Sequence, residues 1–130
     1  MELVLPLPYT QGEWLAWGGA VLTVLFGLVT MLAPRVSLRA LALPAPETPA
    51  AYAGPRSLFG GFYAGIGISA ILFAQPLIYL TLGLAWGFAA LGRLVSMVSD
   101  GGNARLNWLG LGLTLLLAAL PLAFSLGFVP

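Results

Sequence analysis

The spacing of the charged residues limits this chain more than any other feature. Five arginines and four acidic residues are all that interrupt it, leaving uncharged runs of 21 residues between Glu13 and Arg35, 36 between Arg56 and Arg93, and 25 after Arg105. A hydrocarbon core of about 30 Å takes roughly 20 helical residues to cross, so these runs hold one, two and one crossings. The middle run breaks at Gln75-Pro76, because proline suits the first turn of a helix and not its interior. The expectation is an all-α integral membrane four-helix bundle, a single transmembrane domain over 1–130, with helices near 13–33, 56–74, 76–99 and 104–127. Composition agrees: 7% of residues are charged, against roughly 25% in a soluble domain.

Other classes fall away by subtraction. The chain has no Cys and no His, so it cannot form a disulfide, a zinc or iron–sulfur site, a His-ligated haem, or a Cys-His or Ser-His-Asp pair. Without Lys it cannot form a Schiff base. No metal and no cofactor is expected, and a net charge of +1 gives no reason to expect nucleic-acid binding.

Orientation follows from the arginines. Arg35, Arg39 and Arg56 fall in or beside the first loop and Arg93 and Arg105 flank the third, so all share one side. The positive-inside rule makes that side cytoplasmic and places both termini on the extracytoplasmic side. The segment MELVLPLPYTQGE has neither a basic n-region nor a small-residue cleavage site, so the first helix is expected to be retained. The loop over 34–55 is interrupted by Pro34, Pro44, Pro46, Pro49 and Pro55 and cannot be one helix. Its SLRALAL stretch suits the membrane interface, with Arg39 reaching lipid phosphates. In the third loop Asp100 should end a helix, Gly101 and Gly102 should turn the chain, and Asn103 should cap the last helix.

Lipid does not drive helices together by hydrophobicity, so association relies on small residues that let backbones approach. In the second helix Ser57, Gly61, Gly65 and Ser69 recur at i+4, flanked by Gly60, Ala64 and Gly67. A stripe of this kind serves packing within the bundle, a homodimer through helix 2, or a groove for another protein's helix. The first helix offers Ala16, Ala20, Thr23, Gly27 and Thr30, the third Gly83, Gly87, Ala89, Gly92 and Ser96, and the fourth Asn107, Gly110, Thr114, Ala118 and Ser125. Tyr9, Trp14, Trp17 and Trp108 read as interface anchors. Trp86 lies near mid-bilayer, where its indole N–H requires an internal partner; it reads first as a structural residue of the bundle and alternatively as a wall of a pocket for an apolar ligand.

A single polar constellation remains. Arg56, Ser57, Arg93, Ser96, Asp100, Asn103, Arg105 and Asn107 are expected at the cytoplasmic rim, with Arg93, Ser96 and Asp100 sharing one face. Asp100 there neutralises an arginine while the others reach headgroups. Alternatively, Arg56, Arg93, Ser96, Asp100, Arg105 and Asn107 form an anion or anionic-lipid site, aided by two helix N-termini on that side.

The runs RSLFGGFYAGIGIS and LGRLVSMVSDGG, with a proline soon after the first helix in MLAPR, resemble the bacterial membrane family catalogued as domain of unknown function 4345. The matching positions are Arg56, Gly60, Gly61, Gly92, Arg93, Asp100 and Gly101, over roughly residues 14–127. The resemblance implies a short four-span protein of the bacterial inner membrane and no assigned activity.

Function is left with competing readings. Small size, small-residue stripes and missing cofactor ligands point first to a non-catalytic accessory or packing subunit of a larger membrane complex, of respiratory or photosynthetic type. The alternative is a binder or carrier of an anionic lipid or other lipophile, using the space between helices 2 and 3 and the Arg/Asp rim. Ion-coupled transport would need an ionisable group at mid-depth, which the central positions lack. Catalysis is disfavoured, because neighbouring arginines would hold Asp100 ionised.

Overall fold

The computed structural model describes residues 7–41, 43–101 and 105–130, and all regular structure among them is helical. Helix α1 (Gln11–Leu32) starts where Thr10 Oγ1 accepts from the Glu13 N–H at 3.2 Å, while the Glu13 carboxylate accepts from the Tyr9 N–H at 2.9 Å. This is a capping box whose carboxylate reaches one residue further back than usual. A short helix, α2 (Pro34–Ala40), follows at once with proline in its first turn. A 3₁₀ turn spans Pro49–Tyr52, and Pro55–Gly61 is π-helical, closed by the Phe62 N–H on the Ser57 carbonyl five residues back. It runs straight into α3 (Phe62–Phe73), which ends at Ala74 in the left-handed conformation. Helix α4 (Pro76–Ser99) opens on its proline and α5 (Arg105–Ser125) completes the chain.

Four stretches are long and apolar enough to cross a membrane: Gln11–Leu32, Pro49–Phe73, Pro76–Ser99 and Asn107–Ser125. These match the expected crossings to within a few residues, apart from the upstream extension of the second. The π-helical opening of that crossing was not foreseen. Asp100 caps α4 through its N–H on the Ser96 carbonyl, and Gly101 has φ +70°, as expected of the turn. Gly102 and Asn103 lie outside the described residues. At the opposite end of the bundle the Gly12 N–H donates to the Pro130 carbonyl at 2.8 Å, tying the first turn of α1 to the residues after α5.

Helix α1 packs against α3 and α5, and α4 packs against α5; α3 and α4 touch little although they are consecutive. Two glycines on α1 decide where it leans. Near the chain ends, a Cβ on Gly19 would stand 3.0 Å from the Pro121 ring and 3.2 Å from Leu120, so α1 and α5 are close there. Nearer the arginine end, a Cβ on Gly27 would collide with the Ala64 backbone, and one on Gly60 would lie 2.7 Å from Met31 Cα, so α1 there lies against the second crossing. Shifting from one neighbour to the other opens a wedge between α1 and α5.

The middle of the bundle is filled by Phe26, Tyr63 and Trp86, with centroids 5.4 Å apart for Phe26–Tyr63 and Tyr63–Trp86 and 5.9 Å for Phe26–Trp86. Trp86 Nε1 donates to Thr23 Oγ1 at 2.9 Å, and Thr23 Oγ1 donates to the Gly19 carbonyl at 2.8 Å. The indole thus has the internal partner that its depth requires.

The α1 stripe is as expected: Ala16, Ala20, Thr23, Gly27 and Thr30 are all buried. The second crossing corrects its expected stripe. Gly60, Ala64, Gly67 and Ala70 face inward, whereas Ser57, Gly65 and Ser69 are exposed and Gly61 is half-buried. A Cβ on Gly65 meets nothing within 4 Å, and the same holds for exposed Gly92 on α4. The physical reason is the facing helix: α1 sets Gly27 and Met31 against Ala64 and Gly60, and Val24 against Gly67, so the face those three share is the covered one.

Candidate functional site

The wedge between α1 and α5 is a groove of about 570 Å³, a size at which proteins hold small molecules, with an almost wholly apolar lining. Leu22, Leu25, Phe26 and Val29 of α1 form one wall, and Leu109, Leu113 and Leu117 of α5 the other. Trp86 and Arg93 of α4 also line it, and α2 borders the arginine end through Val36, Ala40 and Leu41. A hydrogen bond of 2.6 Å between Thr30 Oγ1 and Ser37 Oγ ties α2 to α1, with both residues buried. Leu25, Val29, Leu109 and Leu113 are each at least two-fifths exposed, so the groove opens sideways out of the bundle.

Arg93 is the charged residue of this lining. It precedes the end of α4 by six residues, which is about 9 Å along the helix axis. Its guanidinium lies over Gly110, where an added Cβ would stand 2.6 Å from Cζ and 2.7 Å from Nη1. Glycine is needed there for proximity, since any larger residue would push the guanidinium away. Nη1 donates to Asn107 Oδ1 at 3.1 Å. Nε is buried and has no hydrogen-bond partner among the described residues. A buried, unpaired donor on a cation is costly enough to need an explanation.

The expected rim constellation is divided among separate contacts. Asp100 accepts from Ser96 Oγ at 2.9 Å on the exposed end of α4, while Arg93 pairs with Asn107. Arg56 Nη1 donates to the Met31 carbonyl at 2.6 Å, satisfying the last turn of α1. Arg105 is exposed, as is Ser57, whose hydroxyl donates to the Gly54 carbonyl at 3.2 Å. Arg35 Nε donates to the Tyr52 hydroxyl at 3.1 Å, with its guanidinium 5.8 Å from that ring centroid. Of the six residues expected at the anion site, Arg93 lines the groove with Asn107 bonded to it, Ser96 and Asp100 pair on the exposed end of α4, and Arg56 lines a separate cavity with Arg35 and Tyr52.

Sequence reasoning missed the groove itself and the parts of Gly110 and α2 in it. Gly110 was read as one more packing residue. Its position, three residues after Asn107 on the helix opposite Arg93, was the signal for a guanidinium seat. Among the described residues no three His, Cys, Asp or Glu side chains gather to hold a metal ion. Compared with protein-family models, with curated proteins and with solved structures, the chain matches none.

Proposed function

We propose that the protein is a non-catalytic membrane bundle that holds an anionic lipid or other lipophile in the α1/α5 groove, its polar end against Arg93. The observation that carries this reading is the unpaired Arg93 Nε beside an apolar groove open to the side. An ionisable residue inside a transmembrane segment is a functional candidate by default, because placing it there costs several kcal/mol. An apolar ligand tail would replace lipid along the groove walls, and its anionic head would satisfy the guanidinium. The setting is the bacterial inner membrane, with the arginine-rich end in the cytoplasm.

The test is purification from native membranes in mild detergent, followed by native mass spectrometry. The wild-type protein is expected to retain a lipophile that Val29→Trp with Leu113→Trp displaces, since both residues stand exposed at the groove. Equal retention by the double variant would overturn the reading.

A second reading, an accessory subunit of a respiratory or photosynthetic type complex, draws on the outward face of the second crossing. Ser57, Gly65 and Ser69 leave a smooth exposed strip there, suited to close approach by another helix or a second copy. A partner of fixed stoichiometry in the same preparation, lost on Gly65→Leu, would favour it.

A further inference from the structure

We infer that the ligand of the Arg93 site is a single-chain carboxylate, a long-chain fatty acid or a molecule of that build, rather than a two-chain phospholipid. The inference rests on the lipophile-binding reading and narrows it.

The first argument is donor geometry. Arg93 spends Nη1 on Asn107, and its buried Nε is unpaired. The edge formed by Nε and Nη2 is one side of a planar fork whose spacing matches the two oxygens of a carboxylate. One edge can serve one singly charged anion with two oxygens, a carboxylate or a phosphodiester alike, so what else each ligand brings decides between them.

The second argument is the scarcity of other polar partners. Two hydroxyls line the groove. Thr114 Oγ1 already donates within its own helix, to the Gly110 and Leu111 carbonyls at 3.0 Å, and Ser37 Oγ is bonded to Thr30. Arg35 and Arg56 are engaged elsewhere, with Tyr52 and the Met31 carbonyl. A phosphodiester carrying glycerol and a second polar substituent would bring groups that find no partner here, and unpaired polar groups are expensive to bury. A carboxylate brings only what the fork satisfies.

Depth is the third argument. Arg93 lies about 9 Å inside the end of α4, below the level at which phospholipid phosphates sit. A phospholipid could reach it only by drawing its whole headgroup inward. A fatty acid has no headgroup beyond the carboxylate, and its chain continues along Leu113 and Leu117 toward Trp86.

The experiment is a titration of the full chain in maltoside micelles, read by native mass spectrometry, with palmitate, methyl palmitate and dipalmitoyl phosphatidylglycerol as probes. The expected result is one bound palmitate, with methyl palmitate weaker by about tenfold or more because it loses the charged two-point contact, and the phospholipid weaker because its glycerol groups find no partner in the groove. Arg93→Met is expected to abolish the preference for palmitate over its ester. Arg93→Lys, which keeps the charge without the fork, should recover part of it. Gly110→Ala, which displaces the guanidinium while leaving it in the chain, guards against a folding defect in the Arg93 variants. Equal binding of palmitate and methyl palmitate, both displaced by the Val29→Trp, Leu113→Trp pair, would overturn the carboxylate and leave the groove reading standing. Phosphatidylglycerol binding more tightly than palmitate, through Arg93, would overturn it in favour of a phospholipid. Saturable binding of none of the probes would remove both readings.

Discussion

At the scale of single residues, polar groups in this bundle are placed by the need to satisfy each donor away from water. Thr23 is the clearest case, since one hydroxyl accepts from the Trp86 indole and donates to the Gly19 carbonyl. Thr23→Val keeps the shape and strands the indole N–H, at an expected cost of about 1–3 kcal/mol. In a Trp86→Phe background the same change should cost much less. Unfolding titrations of both single variants and the double variant measure that coupling, and additive costs would show that the hydrogen bond contributes nothing. Arg93 Nε and Ser125 Oγ are the counter-examples, buried and without a partner among the described residues, and of the two only Arg93 lines the groove on which the proposed function rests.

At the scale of helices, the decisive quantity is how closely two backbones approach. Gly60 and Gly65 lie in one crossing and differ only in what faces them. A Cβ at Gly60 would stand 2.7 Å from Met31 Cα, and at Gly65 it would meet open space. Gly60→Ala should therefore destabilise by about 1–3 kcal/mol through overpacking. Gly65→Ala should stabilise by up to about 1 kcal/mol, because alanine loses less backbone freedom in a helix. Thermal unfolding in detergent distinguishes them by the sign of the shift. The connection to α4 offers a second test. Ala74 has φ +46°, a left-handed conformation that costs an L-residue about 1–2 kcal/mol. Ala74→Gly removes that cost and should raise the unfolding temperature.

At the scale of the molecule, the four crossings leave α1 shared between two neighbours, and the groove is what that sharing leaves open. Arg35, Arg56 and Arg105 lie at one end of the bundle and the Gly12–Pro130 contact at the other. Because the chain lacks Cys, single-cysteine variants report orientation without background. Ala45→Cys in the first loop should resist a membrane-impermeant maleimide added outside intact cells, and Gly127→Cys should react. The reverse pattern would invert the topology and carry the Arg93 site to the other leaflet.

The crossings were legible in the sequence because they depend on where charges and Pro76 fall along a line. The inward α1 stripe was legible too, since Ala16, Ala20, Thr23, Gly27 and Thr30 repeat at intervals of three and four and stay on one helix face. The stripe on the second crossing, which the bundle itself leaves exposed at Ser57, Gly65 and Ser69, shows the limit of that reasoning. Ser57, Gly61, Gly65 and Ser69 are as small as Gly60, Ala64 and Gly67, and only the neighbouring Gly27 and Met31 decide which set is covered. The site divides in the same way. The helix limits alone place Arg93 toward the arginine-bearing end of the third helix, as one member of a rim. That it rests on Gly110, bonds Asn107 instead of Asp100, and borders a groove follows from α1 leaning on α5 at Gly19 and away from it at Gly27. Local sequence determines which segments are helical and apolar, because those properties depend on near neighbours. Tertiary structure decides which face is buried and where space remains, because both depend on distances between residues far apart in the chain.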